Sequence, residues 1–277
     1  MKFFAMKLNI SENIFNSNFK NIKEELIPKR ILSFAKEPVN RKDEWTLVNV
    51  KSLDNNIIMG DVAKPLLQKV TQIDGSVTKE VAFEYVQLSP FYYFVKEEII
   101  LCHPYNTSNK TSVFNHFKGI ISRDAEIGDV DIRLLSKTKE FEKNLLSENY
   151  SVRKLELDYV TPNDPRTLNE IQDIITENNA KTGKLTLENK EEGLKVKSED
   201  GKTTDFIKNL LQITRKGFGN IKATLVDQDN KKTVIETKEN PIKKTIDEVD
   251  KENIEVINRV KGEIMSSMED GEREDEE

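Results

Sequence analysis

The chain has 277 residues, of which 36% are apolar and 33% charged, with a single cysteine. That length supports one large domain or two small ones, and lone Cys102 excludes an internal disulfide framework and a cysteine-rich zinc site. The longest apolar region, Phe91–Cys102, is interrupted by Lys96, Glu97 and Glu98, and Met1–Lys7 leads into no apolar signal core, so neither a membrane span nor a signal peptide is expected and the setting is read as cytoplasmic.

Lys2–Asn9 alternates like an opening strand, and Ser11 or Asn13 is placed to cap a short helix ending before Pro28. Lys36–Asp43, with Pro38, reads as a loop. Trp45–Val50 and Asn56–Asp61 read as strands around the turn Asp54-Asn55-Asn56. Glu80–Leu88, Phe91–Val95 and Ile99–His103 then suggest a three-stranded antiparallel meander, with a tight turn at Lys96–Glu98. Ser112–Ile121 has helical periodicity, Val130–Leu135 reads as a strand, and a helix follows through Phe141, Leu145 and Leu146.

Val152–Val160 is a strand by its alternation, and Arg166–Asn178 an amphipathic helix. A ββαββα pattern comes next: Lys184–Glu188, Leu194–Lys197, a helix over Thr204–Thr214, Ile221–Val226, Thr233–Thr237 and a last helix from Lys243. Arg215-Lys216-Gly217 gives the middle helix a basic last turn and a glycine stop. The fold class expected is α+β, with mainly antiparallel sheets, flanking helices and a long C-terminal helix. The expected division is an N-terminal α+β domain at 1–147, a second at 148–245, a helix at 246–268 and an acidic disordered tail at 269–277.

Charge is distributed unevenly. Ile246–Glu277 holds 13 acidic and 4 basic residues, net −9, against −6 for the whole chain, which leaves residues 1–245 at +3. The last nine residues alone carry seven carboxylates and one arginine.

No glycine-rich phosphate loop or dinucleotide fingerprint occurs, which argues against nucleotide hydrolysis, and no cofactor is expected. Cys102 and His103 are adjacent on a strand and point to opposite faces, so they form no dyad there; Cys102 reads as a buried packing residue. Asp124, Glu126, Asp129 and Asp131 crowd one segment, and Asp129 with Asp131 on one strand face would suit magnesium or manganese in a metal-dependent nuclease. Carboxylate-x-lysine triplets at Glu188, Asp200 and Glu236 are as frequent as a charge-rich chain yields by chance.

The candidate nucleic-acid-binding residues are Arg153, Lys154, Lys195, Lys197, Lys202, Arg215, Lys216, Lys222, Lys231 and Lys232. If the second unit gathers them, they would neutralise phosphates without reading bases. The competing reading is an ordinary lysine-rich surface balanced by interleaved glutamates. A third is a protein–protein adaptor using the apolar stripe of the last helix, Ile246 to Ile264.

Trp45-Thr-Leu-Val-Asn-Val, Lys64-Pro-Leu-Leu-Gln-Lys-Val, Ser89-Pro-Phe-Tyr-Tyr-Phe-Val-Lys-Glu-Glu-Ile-Ile, Asn109-Lys-Thr-Ser-Val-Phe-Asn-His-Phe and Val152-Arg-Lys-Leu-Glu-Leu follow one another in an order similar to that of the RexA-type phage-exclusion proteins and related bacterial phage-defence proteins. The resemblance lies in length, element order and hydrophobic pattern. It implies a non-enzymatic, sequence-nonspecific DNA-binding or DNA-sensing protein of α+β fold. Such a protein would be a homodimer acting on duplex DNA, with a membrane or effector protein partner encoded nearby and no membrane insertion of its own. The acidic end departs from that pattern.

Overall fold

The computed structural model describes residues 1–10, 18–35, 45–74, 77–104, 110–160 and 182–269. The helix expected at Arg166–Asn178, the loop at 36–43, the caps Ser11 and Asn13, and all but the first residue of the acidic tail lie outside them. The chain divides into two units, Lys20–Gly128 and Met1–Phe19 with Asp129–Glu277. The α+β class with antiparallel sheets and a C-terminal helix stands. The second unit is discontinuous, and residue 147 falls inside it, because the first strand pairs with late ones.

In chain order the strands are β1 (Lys2–Ile10), β2 (Thr46–Ser52), β3 (Ile57–Asp74), β4 (Val77–Phe94), β5 (Ile99–Cys102), β6 (Val130–Leu134), β7 (Tyr150–Val160), β8 (Thr182–Glu188), β9 (Gly219–Asp227), β10 (Lys232–Glu236) and β11 (Lys243–Thr245). The helices are α1 (Phe19–Asn21), α2 (Ile27–Phe34), α3 (Lys110–Ser122), α4 (Lys139–Leu145), α5 (Asp205–Arg215) and α6 (Ile254–Glu269), with a π-helical turn at Ile22–Leu26. Pro28 does not end a helix, as its sequence position suggests. It stands in the first turn of α2, directly after the π-helical turn, and the helix runs on through it.

Within Lys20–Gly128, β2, β3, β4 and β5 form an antiparallel sheet. Its core is aromatic: Phe91, Tyr92, Tyr93 and Phe94 are buried, and Phe91 meets Phe117 of α3 edge-on at 4.9 Å. The turn at Asp54 forms as expected, with Asp54 Oδ1 accepting from the N–H groups of Asn56 and Ile57, both at 2.7 Å. The meander does not form as three short strands. Glu80–Leu88 and Phe91–Val95 merge into β4, which pairs with β3 over eighteen rows from Ile57↔Phe94 to Asp74↔Val77. Pro65 hides this continuity in the sequence. It is tolerated because β2 ends opposite Ala63, so among the described residues no third strand asks Pro65 for a ladder bond.

In the other unit, β6 and β11 pair antiparallel with β1. They follow one another along a single edge of it: Ala5 donates to the Ile242 carbonyl and accepts from Leu135, both at 3.0 Å, while Ile242 donates to Leu135 at 2.7 Å. The last helix therefore does not start at Lys243. Lys243–Thr245 is strand, Ile242 and Ile246 are buried, and α6 starts after Asn253, whose side-chain oxygen accepts from the N–H groups of Glu255 and Val256. Its stripe Ile257, Val260 and Ile264 is buried, so it is already used to dock the helix.

The second sheet runs β10-β9-β7-β8. One face carries Val152, Leu155, Leu157, Ile221, Ala223 and Leu225 into a core with Ile207, Leu210 and Leu211 of α5 and Phe141 and Leu145 of α4. Leu194–Lys197 forms no strand; Lys197 makes only a bridge to Thr203. The expected ββαββα pattern therefore loses its second strand, and β11 stands between β10 and α6; Lys184–Glu188, α5, Ile221–Val226 and Thr233–Glu236 form in the order expected. Helix α5 ends as its sequence predicts, because Gly217 (φ +78°) and Phe218 donate back to Thr214 and Ile213, both at 3.0 Å.

Candidate nucleic-acid interface

Nine of the ten basic candidates fall in three places; the tenth, Lys197, is half-buried and bridges to Thr203 ahead of α5. The first is the outer face of the second sheet. Strand pairing sets Thr186, Glu156, Lys222 and Glu236 in one row, and Glu188, Lys154, Thr224 and Val234 in the next. Lys154 and Lys184 stand 3.2 Å and 2.8 Å from Glu156, and Lys222 stands 3.4 Å from Glu236, which Lys238 also meets. The Lys184 hydrogen bond first, then Lys154, holds the Glu156 carboxyl below its usual range. Lys238 first does the same for Glu236, and Glu156 raises Lys184 in return. The face is thus a lattice of alternating sign, and Lys154 and Lys222 are committed inside it.

The second place is the ends of α5. Arg215 donates to Thr138 Oγ1 at 2.6 Å and lies 3.4 Å from Glu142, whose other oxygen accepts from Thr203 at 3.0 Å. With only 13% of its side chain exposed, Arg215 braces α5 against α4. Lys216 is the half-buried C-cap residue. Lys202 closes a tight turn with Ser198 and Asp200, and the Ser198 hydroxyl, then the Lys202 amide, lower the Asp200 carboxyl.

The third place is one end of the sheet. Arg153 sits at a bulge in β7 and donates to the carbonyls of Lys190 (2.9 Å) and Glu191, fastening the segment after β8. That segment lies along β7, with Leu194 donating to Val152 at 2.7 Å, which puts Lys195 beside the start of β7. Across β7, Ser151 faces Val226 of β9, and Val226 faces Lys232 of β10. The β9–β10 turn closes through Asn230 (φ +59°), with Asp227 Oδ1 accepting from the N–H groups of Asp229 and Lys231. Lys195, Lys231 and Lys232 are exposed, and none of their ammonium groups is in an ion pair with a described residue. Three strand spacings separate the two sides, about 15 Å.

Residues 31–264 match the family model described as a domain of unknown function, DUF4747. The chain belongs to the DUF4747 family. No curated protein matches it. In this DUF4747 chain the family match spans all ten basic candidates and the β3–β4 hairpin, and leaves out β1.

Of the carboxylates crowded at 124–131 in the DUF4747 chain, Asp124 serves as a turn cap and Asp131 as an ion-pair partner. Asp124 Oδ1 accepts from Glu126 at 3.0 Å, and the Asp124 carbonyl accepts from Ile127 and Gly128. Asp131 is held by Arg133 at 2.8 Å. Among the described residues no group of three or more His, Cys, Asp or Glu side chains is placed to hold a metal ion. Cys102 is buried, and burial pushes its thiol well above the ordinary range, which disfavours the thiolate a nucleophile needs. The His116 ring lies 4.3 Å from Trp45.

Sequence reasoning missed Lys184 and the neutralising roles of Glu156 and Glu236. The alternation Lys154-x-Glu156-x-Asp158 was the available signal within one strand. Its cross-strand partners depend on register.

Proposed function

We propose that this DUF4747 protein is a non-enzymatic, sequence-nonspecific DNA-binding or DNA-sensing protein that holds the phosphate backbone at one end of its second sheet. The observation that carries the reading is the placement of Lys195, Lys231 and Lys232: exposed, on one sheet end, and in no ion pair with a described residue, while Lys154, Lys222 and Arg215 are neutralised elsewhere. The +3 balance of residues 1–245 supports it. Three lysines make about three phosphate contacts, so the logarithm of affinity should fall with that of salt at a slope near −3, roughly 50-fold between 50 and 200 mM. That is weak, nonspecific binding, in keeping with contacts that position but do not read sequence.

Reversing charge separates the groups. Lys195→Glu, Lys231→Glu and Lys232→Glu each weaken retention of duplex DNA in filter binding, while Lys154→Ala and Lys222→Ala leave it within about twofold. Equal losses from both sets would place the contact on the sheet face and overturn the assignment. Phage exclusion in the cytoplasm, with a membrane or effector partner, is proposed on the family resemblance alone. Phage plating efficiency with and without this gene tests it. Among the described residues, no helix is long and apolar enough to cross a membrane.

A further inference from the structure

By sequence Arg153 is a phosphate contact; in the structure its guanidinium is turned onto the chain's own backbone. Arg153 falls at the bulge in β7, between Val152 and Lys154, where it has no partner in β9 and its side chain is re-aimed. Its Nη1 donates to the carbonyls of both Lys190 (2.9 Å) and Glu191. Its own carbonyl accepts from the Asn189 N–H at 3.0 Å. Asn189 Oδ1 in turn accepts from the N–H groups of Glu191 and Glu192, both at 3.1 Å.

Residues 189–194 belong to no strand or helix, so these bonds are what fasten them along β7. Gly193 turns the chain at φ +89°, a position where a Cβ would run into Ser151 Oγ, and Leu194 then donates to the Val152 carbonyl at 2.7 Å. Lys195 stands at the end of this strap. Leu194 packs against the core and Val196 is buried in it, which leaves Lys195 exposed between two anchored neighbours. A guanidinium suits the fastening: it stays charged, and its charge-assisted bonds hold carbonyls firmly. A lysine on a loose loop loses affinity to the ordering of that loop when it meets phosphate, and one already held in place does not.

We propose that Arg153 is a positioning residue of the phosphate site. It holds residues 189–194 along β7, so that Lys195 is set in advance across the sheet end from Lys231 and Lys232, and it makes no phosphate contact itself. The role rests on the DNA-binding reading for its ligand, whereas the fastening is measured without nucleic acid.

In Arg153→Gln, and in Arg153→Lys, whose side chain is one bond shorter, the amides of residues 189–194 exchange hydrogen about tenfold faster, with β9 and β10 unchanged. In filter binding of duplex DNA, counted per folded molecule, Arg153→Lys weakens retention about three- to tenfold although the charge is kept. Gly193→Ala, which alters no charge, does the same. Neither substitution weakens retention further in a Lys195→Ala background, while both still do so in a Lys231→Ala background. Native exchange in the Arg153 variants overturns the fastening. Full retention by Arg153→Lys with loss by Arg153→Gln, or losses that add to that of Lys195→Ala, makes Arg153 a direct contact and overturns the role alone. A native chain that retains no duplex overturns the DNA-binding reading and the role with it.

Discussion

Gly217 combines two constraints that a single methyl group violates, so Gly217→Ala tests the packing of α5 against β1 directly. The residue closes α5 at φ +78°, and an added Cβ would stand 2.5 Å from Lys7 Cβ and 2.8 Å from Leu135 Cδ2. Left-handed backbone costs a residue with a side chain about 1–2 kcal/mol, and forcing a methyl into filled space costs about 1–3 kcal/mol. The expected loss is about 3 kcal/mol. Lys7 lies on the strand whose Asn9 amide donates to the Gly217 carbonyl at 3.0 Å, so the clash cannot relax without loosening that bond. In urea unfolding followed by circular dichroism, the midpoint drops by about 1 M at unchanged slope. Gly262→Ala is the control: it sits in α6 with nothing within 4 Å of its Cβ position, and should gain about 0.5–1 kcal/mol. A Gly217→Ala protein within about 0.5 kcal/mol of the native chain would refute this reading of the helix end.

Arg215→Ala removes bonds to Thr138 and Glu142 and should cost about 1.5–3 kcal/mol in thermal or urea unfolding, with DNA retention per folded molecule unchanged. Glu156→Gln changes the acid limb of stability. A carboxyl held below its unfolded value stabilises the fold above that value and loses this as pH falls through the folded one. Native and Glu156→Gln proteins therefore differ at pH 7 and converge as pH falls below the ordinary carboxylate range, and a difference constant with pH would contradict the Lys184–Glu156–Lys154 arrangement. Removing Glu269–Glu277, which carries seven carboxylates and one arginine, should tighten DNA binding at low salt by relieving competition for the basic sheet end; unchanged affinity would leave the segment a solubilising tail.

Much of the fold was legible because its signals are local. The alternation of Val152–Val160 and the Arg215-Lys216-Gly217 stop each predict their element from a few neighbouring residues, and each formed. The long β3–β4 hairpin was not legible, since Pro65 and Pro90 break the strand pattern unless the open edge of β3 and the end of β5 are known. Helix α6 was read as starting too early because Ile246 continues its spacing, although β1 takes Lys243–Thr245 as a strand. The candidate site was legible only as residue types. Lysine says nothing of its partner, and the register that sets Lys222 beside Glu236, or brings Lys195 to the same sheet end as Lys232, joins residues far apart in the chain.

The central claim rests on the salt dependence of duplex DNA retention by the full chain, measured by filter binding from about 20 to 200 mM monovalent salt. The account predicts retention at low salt, a log–log slope near −3, and a shallower slope when Lys231 and Lys232 are both changed to alanine. A chain that retains no duplex at the lowest salt, or whose slope is unmoved by the loss of those two lysines, contradicts it.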